Sequence, residues 1–425
     1  MSAAATLAPA LRDAARMVAR VAAGRSLAEQ FSRSAEEGIE TARAALLDLT
    51  HGTLRRYGRV QAIVAELSRR GQPDPLVQAL LWCSLYALES GRYADYTVVD
   101  QAVRAGTLLE LWSAKGYVNG LLRTYLRSRD AVEARLRANE EAHHQHPQWW
   151  IDVVRRAHPE SWEEILAAGN THPPMTLRVN ARRVAPGAYA QRLAEEGINA
   201  RSLGGEAILL ERAIPVDRLP GFADGEVSVQ DAGAQRAAEL LDLAPGLRVL
   251  DACAAPGGKS AHILERADVA LTALDVDARR SERIVRNLER LSLRASVHVA
   301  DCARPHDWWD GKAFERILAD VPCSASGVAR RHPDLKWLRR TGDPAAFGVR
   351  QAAILDALWQ LLAPGGKLLY VTCSVFPQEN QEVVHAFVAR AQGARSLPLP
   401  EGERSHWLPG PSHDGFYYAL IQKQA

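Results

Sequence analysis

The sequence predicts a multidomain protein: an all-α N-terminal domain, a small α+β subdomain, and a C-terminal α/β domain of the doubly wound, Rossmann-like kind. Three observations lead there. Residues 1–140 carry helical periodicity and almost no strand pattern. A stretch around 171–228 alternates strand, helix and strand once. From about 229 short apolar strands and amphipathic helices alternate repeatedly, the pattern of a mostly parallel sheet covered on both faces. At 425 residues the chain is also too long for one ordinary core, so length alone predicts two or three domains.

The all-α domain is expected over 1–140. "MSAAATLAPALRDAARMVARV" reads as an amphipathic helix; Arg12, Asp13 and Arg16 interrupt its apolar residues, so it lacks the apolar region of a signal peptide. "ARAALLDLTHGTLRRYGRVQAIVAELSRR", "PDPLVQALLWCSLYAL" and "GYVNGLLRTYLRSRDAVEARLRANEEA" repeat apolar residues at i, i+3, i+4 and i+7. Gly and Pro punctuate them, as at "RRGQPDP". Residues 141–228 are expected to hold linker helices and the small α+β subdomain. The His-rich "HHQHPQWWIDVVRRAHPESWEEILAAGN" has no cysteine or carboxylate at ligand spacing, so it reads as a solvated linker and not a metal site. "PPMTLRVNARRVAPGAYAQRLAEEGINARSLGGEAILLE" supplies the strand, helix and further strand of the subdomain.

In the α/β domain, 229–425, "GLRVLDAC", "ALTALDVD", "ASVHVADC", "FERILADV" and "KLLYVTCS" are the strands. "GKSAHILERA", "ARRSERIVRNLERL" and "FGVRQAAILDALWQLL" are the helices, the last leading through the turn "APGG" into its strand. The composition, 47% hydrophobic and 24% charged, is that of a globular soluble protein. A formal net charge of +2 does not announce a nucleic-acid binder, so any such surface must be a local patch. No apolar run reaches the roughly 18–20 residues that span a bilayer. Five cysteines, none in a C-x-x-C pair, argue against a disulfide framework and a zinc site. The cytosol, with reduced thiols, is the expected compartment.

"DACAAPGGKS" (251–260) leaves a strand and enters a helix, where doubly wound sheets bind ligands. Gly258, Lys259 and Ser260 fit the end of a P-loop, but position 253 is Cys where the first Gly should stand. No G-x-G-x-x-G is present either, which leaves a nucleoside-bearing ligand without phosphates, such as S-adenosylmethionine. The turn Cys253, Ala254, Ala255, Pro256, Gly257, Gly258 and Lys259 would cradle it. Three acids favour this reading: Asp275 ends the second strand, where a carboxylate accepts both ribose hydroxyls, and Asp301 and Asp320 end the third and fourth. Carboxylates repel a pyrophosphate but accommodate an adenine amino group or a sulfonium cation. Asp at a strand end is also a common turn former or cap; three in succession after a Gly-rich turn weigh against that explanation.

Cys323, in "ADVPCSASG", and Cys373, fifty residues later in "YVTCSVFPQEN", both lie at the ligand-binding edge of the expected sheet. Cys83 and Cys302 read as small core hydrophobes. Cys323 and Cys373 differ, because Pro, Ser and Gly surround them. A disulfide, a metal site, inert core and a nucleophile pair all remain open on the residues alone.

"DACAAPGGK", "LDVD", "ADVPCSASG" and "YVTCSVFPQEN" resemble the successive motifs of RNA cytosine-5 methyltransferases of the Sun/Nop2 class. "CSASGVARRHPDLKWLRR" is similar to its bacterial ribosomal RNA branch, the RsmB (Sun/Fmu) type, and "VDQAV" with "GYVNGLLR" resembles the NusB-like RNA-binding domain of that branch. Val321 stands where many relatives have Ala. The resemblance covers nearly the whole chain and implies S-adenosylmethionine as methyl donor, small-subunit ribosomal RNA before full assembly as substrate, no metal, no membrane, and a monomer. It further implies that Cys373 adds to C6 of cytosine, making C5 nucleophilic, that Cys323 assists release, and that Asp320 holds or protonates the ring at N3 while also able to contact the cofactor.

For RNA, "GVARRHPDLKWLRR" (327–340) offers Arg330, Arg331, Lys336 and Trp337, cations for phosphates and an aromatic for stacking. Arg178 in "TLRVNARR" resembles the basic strand of the family's small RNA-binding subdomain. The rival readings are a non-catalytic NusB-like RNA-binding or antitermination factor, a nicotinamide oxidoreductase, and a methyltransferase of another RNA such as tRNA. The first has no use for two cysteines and an intact cofactor loop together; the second lacks its glycine fingerprint.

Overall fold

The computed structural model describes residues 7–36, 43–68, 71, 73–400, 402 and 404–425. The start of the N-terminal helical reading (1–6), Ala42, and Arg69, Arg70 and Gln72 of the Gly/Pro break lie outside the described residues. Two compact units divide the chain: Met1–His172 with Ala329–Thr341, and Pro173–Val328 with Gly342–Ala425.

The first unit is helical. Its central helix, Pro75–Glu89, starts with Pro in its first turn and with the Asp74 carboxylate accepting from Leu76 N–H at 2.8 Å. Every residue from Ala79 to Leu88 is buried, so the helix is apolar all round and packs between Leu7–Ala22, Arg43–Arg55 and Asp95–Leu108. The long pattern expected to run through Arg56 is two helices, Arg43–Arg55 and Tyr57–Leu67. The pattern from Gly116 likewise divides, into Lys115–Arg127, Arg129–Leu136 and Glu140–His144. The expected solvated His-rich connector is instead packed: His146 and Trp150 are buried with ring centroids 5.7 Å apart.

Residues 329–341 are sewn into this unit. Lys336, 0% exposed, donates to the carbonyls of Arg55 (3.0 Å) and Gln145 (2.9 Å) and to Asn170 Oδ1 (2.7 Å). Trp337 donates to Leu54 O at 3.0 Å and meets Tyr57 edge-on at 5.0 Å. Arg330 is buried, and its carbonyl accepts from Arg55 Nη2 at 3.0 Å. The RNA contacts expected of Arg330 and Lys336 are therefore corrected to structural roles, since both side chains are buried; Trp337 and Arg331 are half-buried.

The second unit holds two sheets. Strands β1 (Met175–Val179), β2 (Ala200–Gly204), β3 (Ala207–Leu210) and β4 (Val227–Val229) form an antiparallel sheet in the order β2-β3-β1-β4, backed by the helix Pro186–Glu195. The larger sheet contains β5 (Arg248–Asp251), β6 (Ala270–Asp275), β7 (Ser296–Val299), β8 (Phe314–Asp320), β9 (Leu362–Thr372), β10 (Ala394–Leu397), β11 (His406–Trp407) and β12 (Phe416–Lys423). Its order is β10-β12-β9-β8-β5-β6-β7, with β11 beside β12. β5 to β9 are parallel; β10, β11 and β12 are antiparallel additions. The chain reverses direction across the sheet between β5 and β8, the switch point at which such sheets bind ligands. The "APGG" expected as a turn falls within β9, where the register with β8 jumps between Phe314↔Leu362 and Arg316↔Lys367.

Arg178, expected to touch RNA, bolts the small sheet to the large one. At 1% exposure it donates twice to Glu265 (2.8 Å each), to Gly258 O (2.8 Å) and to Gln230. Its guanidinium has no surface to offer a phosphate, and the RNA role is withdrawn for it. Arg178→Ala leaves Glu265 buried without its partner, so stability should fall by about 3–5 kcal/mol in urea unfolding. A joint Arg178→Met, Glu265→Leu variant should regain most of that loss; an unchanged midpoint in the single variant would show the pair to be dispensable.

Candidate active site

Loops following β5, β6, β7, β8 and β9 converge at the C-terminal edge of the large sheet. Asp251 ends β5 fully buried, and its Oδ2 accepts from Ser260 at 2.6 Å, tying the strand to the helix Gly258–Arg266. Burial pushes the Asp251 carboxyl up to about 7, although Ser260 opposes the shift. Gly257 has φ +96° and a Cβ there would stand 3.0 Å from Ile284 Cα, so the turn requires glycine. Within it Ala254 N–H donates to Leu274 O at 2.7 Å, and the Ala255–Pro256 bond is cis. Lys259 reaches Asp320 Oδ2 at 2.5 Å. Burial disfavours the Lys259 charge, but Asp320 outweighs burial and charge on Cys373 adds to it, so the ammonium is held protonated.

Asp275 ends β6 at 4% exposure, its Oδ1 accepting from Asp277 N–H at 3.1 Å and its Oδ2 lying 3.3 Å from Arg280 Nη2. Asp301 stands two residues past β7, accepting from Ala303 N–H at 3.0 Å. Cys302 is buried in the core and its sulfur lies 3.9 Å from that of Cys253. The hydrogen bond with Cys302, then burial, push the Cys253 thiol well up. Cys83 is wholly buried, its thiol pushed up to about 12 by desolvation, as expected of a core hydrophobe.

The remaining two cysteines come together. Cys323 Sγ and Cys373 Sγ are 3.4 Å apart. The hydrogen bond to Cys373 first, then burial and the charges of Cys373 and Glu379, push the Cys323 thiol well up. Gly327 N–H donates to Cys373 O at 2.8 Å, and a Cβ on Gly327 would stand 2.4 Å from Gly415 O, which accounts for Gly at the end of "CSASG". A cavity of about 230 Å³ is lined by Cys253, Asp275, Asp301, Asp320, Cys323 and Cys373, among others. A larger open hollow of about 690 Å³ beside the small sheet, lined by Glu196, Glu211 and Arg212, contains none of these groups.

Asp275, Asp301 and Asp320 suit a ligand with hydroxyls, an amino group and a cationic centre; facing one cavity, they would repel a pyrophosphate. Among the described residues no group of His, Cys, Asp and Glu is arranged to hold a metal ion, and no helix is long and apolar enough to cross a membrane. The sequence reading missed the polar residues that brace the cysteine loops: Ser324, Ser326, Thr372, Ser374, Glu379 and Asn380. Their signal was present in "CSAS" and "TCSVFPQEN", where a run of small hydroxyls ends in an acid and an amide.

A doubly wound sheet with this Gly-rich turn and these strand-end acids defines the S-adenosylmethionine-dependent methyltransferase class. The chain belongs to the 16S rRNA methyltransferase RsmB/F family, whose model matches residues 238–422. The RsmF/B-like ferredoxin-like domain matches 146–217 and the NusB family 9–127. Ribosomal RNA small subunit methyltransferase B of Pseudomonas putida is 43% identical, with 97% of this chain and 98% of that protein covered. The protein of the same name from Vibrio cholerae is 40% identical, with 94% of each covered. The crystal structure of PH0851 shares the fold at a TM-score of 0.80 and 22% identity, covering 98% of this chain and 99% of that one.

Asp251 carries a pH dependence. Its folded-state pKa, about 7, lies above the ordinary 3.8, so the folded state binds the extra proton between those values. Stability from this group is present in acid and is lost as pH rises towards 7. Asp251→Asn should flatten that part of the profile of Tm against pH; a profile parallel to wild type would exclude the assignment.

Proposed function

We propose that this methyltransferase places a methyl group on C5 of a cytosine in small-subunit ribosomal RNA, by way of a covalent bond between Cys373 and C6. The observation that carries the reading is the 3.4 Å separation of the two sulfurs on the wall of a cavity shared with Asp320. S-adenosylmethionine, when bound, supplies the methyl group, and the residues fitted to hold it are the 253–259 turn with Asp275 and Asp301. The reaction domain is 229–425, with 1–140 and 141–228 for holding RNA, and the protein acts as a cytosolic monomer on RNA not yet in a finished subunit.

C5 of cytosine is too weak a nucleophile to take a methyl group unaided. The Cys373 thiolate adds to C6, forming the S–C6 bond and turning the ring into an enamine that is nucleophilic at C5. As addition at C6 drives negative charge onto N3, N3 takes up a proton from solvent, and the Asp320 carboxylate, 27% exposed at its side chain and held by Lys259, accepts a hydrogen bond from that N3–H. The surroundings of Cys323 favour its thiol form. Once Cys373 is bonded to C6 its charge is gone, and with it part of what kept the Cys323 proton in place. Cys323 can then lose its proton to solvent and, as the thiolate, take the C5 proton; the electrons of that C–H bond restore the ring double bond, the S–C6 bond breaks and the Cys373 thiolate is restored. The target base must be unpaired or flipped for C6 to be reached.

Cys373→Ala should lose turnover and form no covalent RNA complex. Cys323→Ala should accumulate a complex that survives denaturing electrophoresis, because attack proceeds while release stalls, and the double variant should behave like Cys373→Ala. A covalent band from Cys373→Ala would reverse the roles, and full activity in both single variants would end the mechanism. Separately, Asp275→Ala removes a charged acceptor, for which about 1.5–3 kcal/mol of S-adenosylmethionine affinity should be lost in calorimetry. Unchanged affinity would remove Asp275 from the cofactor site.

A further inference from the structure

Glu379 takes no part in the steps above, yet its carboxylate is 0% exposed and directly behind the two thiols. Oε1 accepts from Ser324 N–H at 2.6 Å, and Oε2 accepts from the hydroxyls of Ser324 and Ser374 at 2.5 Å each. Those donors belong to the residues immediately following Cys323 and Cys373. Ser326 closes the ring, 3.0 Å from Ser374 Oγ and accepting from Val375 N–H at 2.9 Å. The backbone carbonyl of Glu379 in turn accepts from Tyr370 OH at 2.6 Å, fixing the residue to β9.

A buried carboxylate is costly unless its lone pairs are matched. Matching them here requires the 323–327 loop and the 373–379 loop to meet at one point. Hydroxyls alone could bond one another, so a charge is more than the shape of this joint needs.

We propose that Glu379 is a positioning residue of the methyl-transfer reaction: through Ser324 and Ser374 its carboxylate sets the spacing of Cys323 and Cys373, and it keeps negative charge beside Cys323. The proposal rests on the roles given to the two cysteines above. The Cys323 thiol is pushed up by its bond to Cys373, by burial, and by the charges of Cys373 and Glu379. The other titratable and charged groups near the pair include Tyr370, Tyr418, Asp320, Lys259 and Arg350.

Glu379→Gln keeps the outline of the side chain and removes its charge; the amide oxygen can accept from Ser324 N–H while the hydroxyls rotate to accept from the NH₂. Iodoacetamide labelling at a series of pH values, read peptide by peptide in the mass spectrometer, reports Cys323 without RNA or methyl donor. Loss of a neighbouring negative charge favours the thiolate, so the Cys323 labelling midpoint should move down by about one pH unit. In steady-state methylation of ribosomal RNA, kcat should fall about tenfold or more with the RNA KM within about threefold. Glu379→Asp, which keeps the charge but shortens the reach, should lose kcat and leave the midpoint near wild type. A folded Glu379→Gln protein with wild-type kcat and an unmoved midpoint overturns the proposal. Should that variant not fold, Ser374→Ala replaces it, removing one donor and keeping the charge; wild-type kcat there overturns the proposal equally. Failure of the cysteine roles shows separately, as turnover by Cys373→Ala, and leaves the labelling result intact.

Discussion

The parallel pairing of β8 with β9 is the constraint on which the site depends. Their register sets Asp320 opposite Val371, and one further bond, Val321 N–H to Val371 O at 3.1 Å, carries the pairing just past the end of β8. Beyond it the two chains part into loops, and Cys323 and Cys373 are the residues at the fork. Two cysteines fifty positions apart become neighbours because two strands are neighbours. A parallel pair needs a long crossover, here the helix Asp343–Leu361, which is buried along one side against the sheet and donates through Gln351 to Pro322 O at 2.9 Å. The crossover therefore connects the strands and also braces the residue before Cys323.

Much of this was legible in the amino-acid order. Strand and helix alternation after 229 is a strong periodic signal, and each acid at a strand end is found at or within two residues of one. The Gly257 conformation follows from a strand that must turn into a helix against Ile284. What was not legible is whatever depends on which face a residue turns. Arg178 and Lys336 have the composition of RNA contacts; both are buried because each meets a set of acceptors assembled from distant parts of its own unit. A cation in a sequence carries no mark of whether its acceptors are phosphates or carbonyls. The C-terminal strand β12 was unread for a different reason: "FYYALIQ" is an apolar run without alternation, and its place beside β9 is antiparallel in a sheet that is otherwise read as parallel.

Charge at the site is arranged in opposed pairs. Lys259 is protonated against burial because Asp320 faces it, and Asp251, lacking such a partner within bonding distance, is driven towards its neutral form. The difference has a chemical use. A neutral Asp251 adds no further repulsion to the cavity that Asp275, Asp301 and Asp320 already make acidic, while a charged Lys259 offsets one of those acids near the two thiols.

The thiol pair itself illustrates how two identical side chains acquire different work. Both sit on the wall of one cavity, and intrinsic acidity cannot tell them apart. Asymmetry comes from the surroundings: Cys323 has burial, the Cys373 sulfur and the Glu379 carboxylate acting on it in the same direction. Each of these raises the cost of ionising Cys323, so its surroundings favour the thiol form. The 3.4 Å spacing of the sulfurs depends on where the two loops are held. Buried hydrogen bonds from Ser324 and Ser374 to Glu379 hold those loops in place behind the sulfurs.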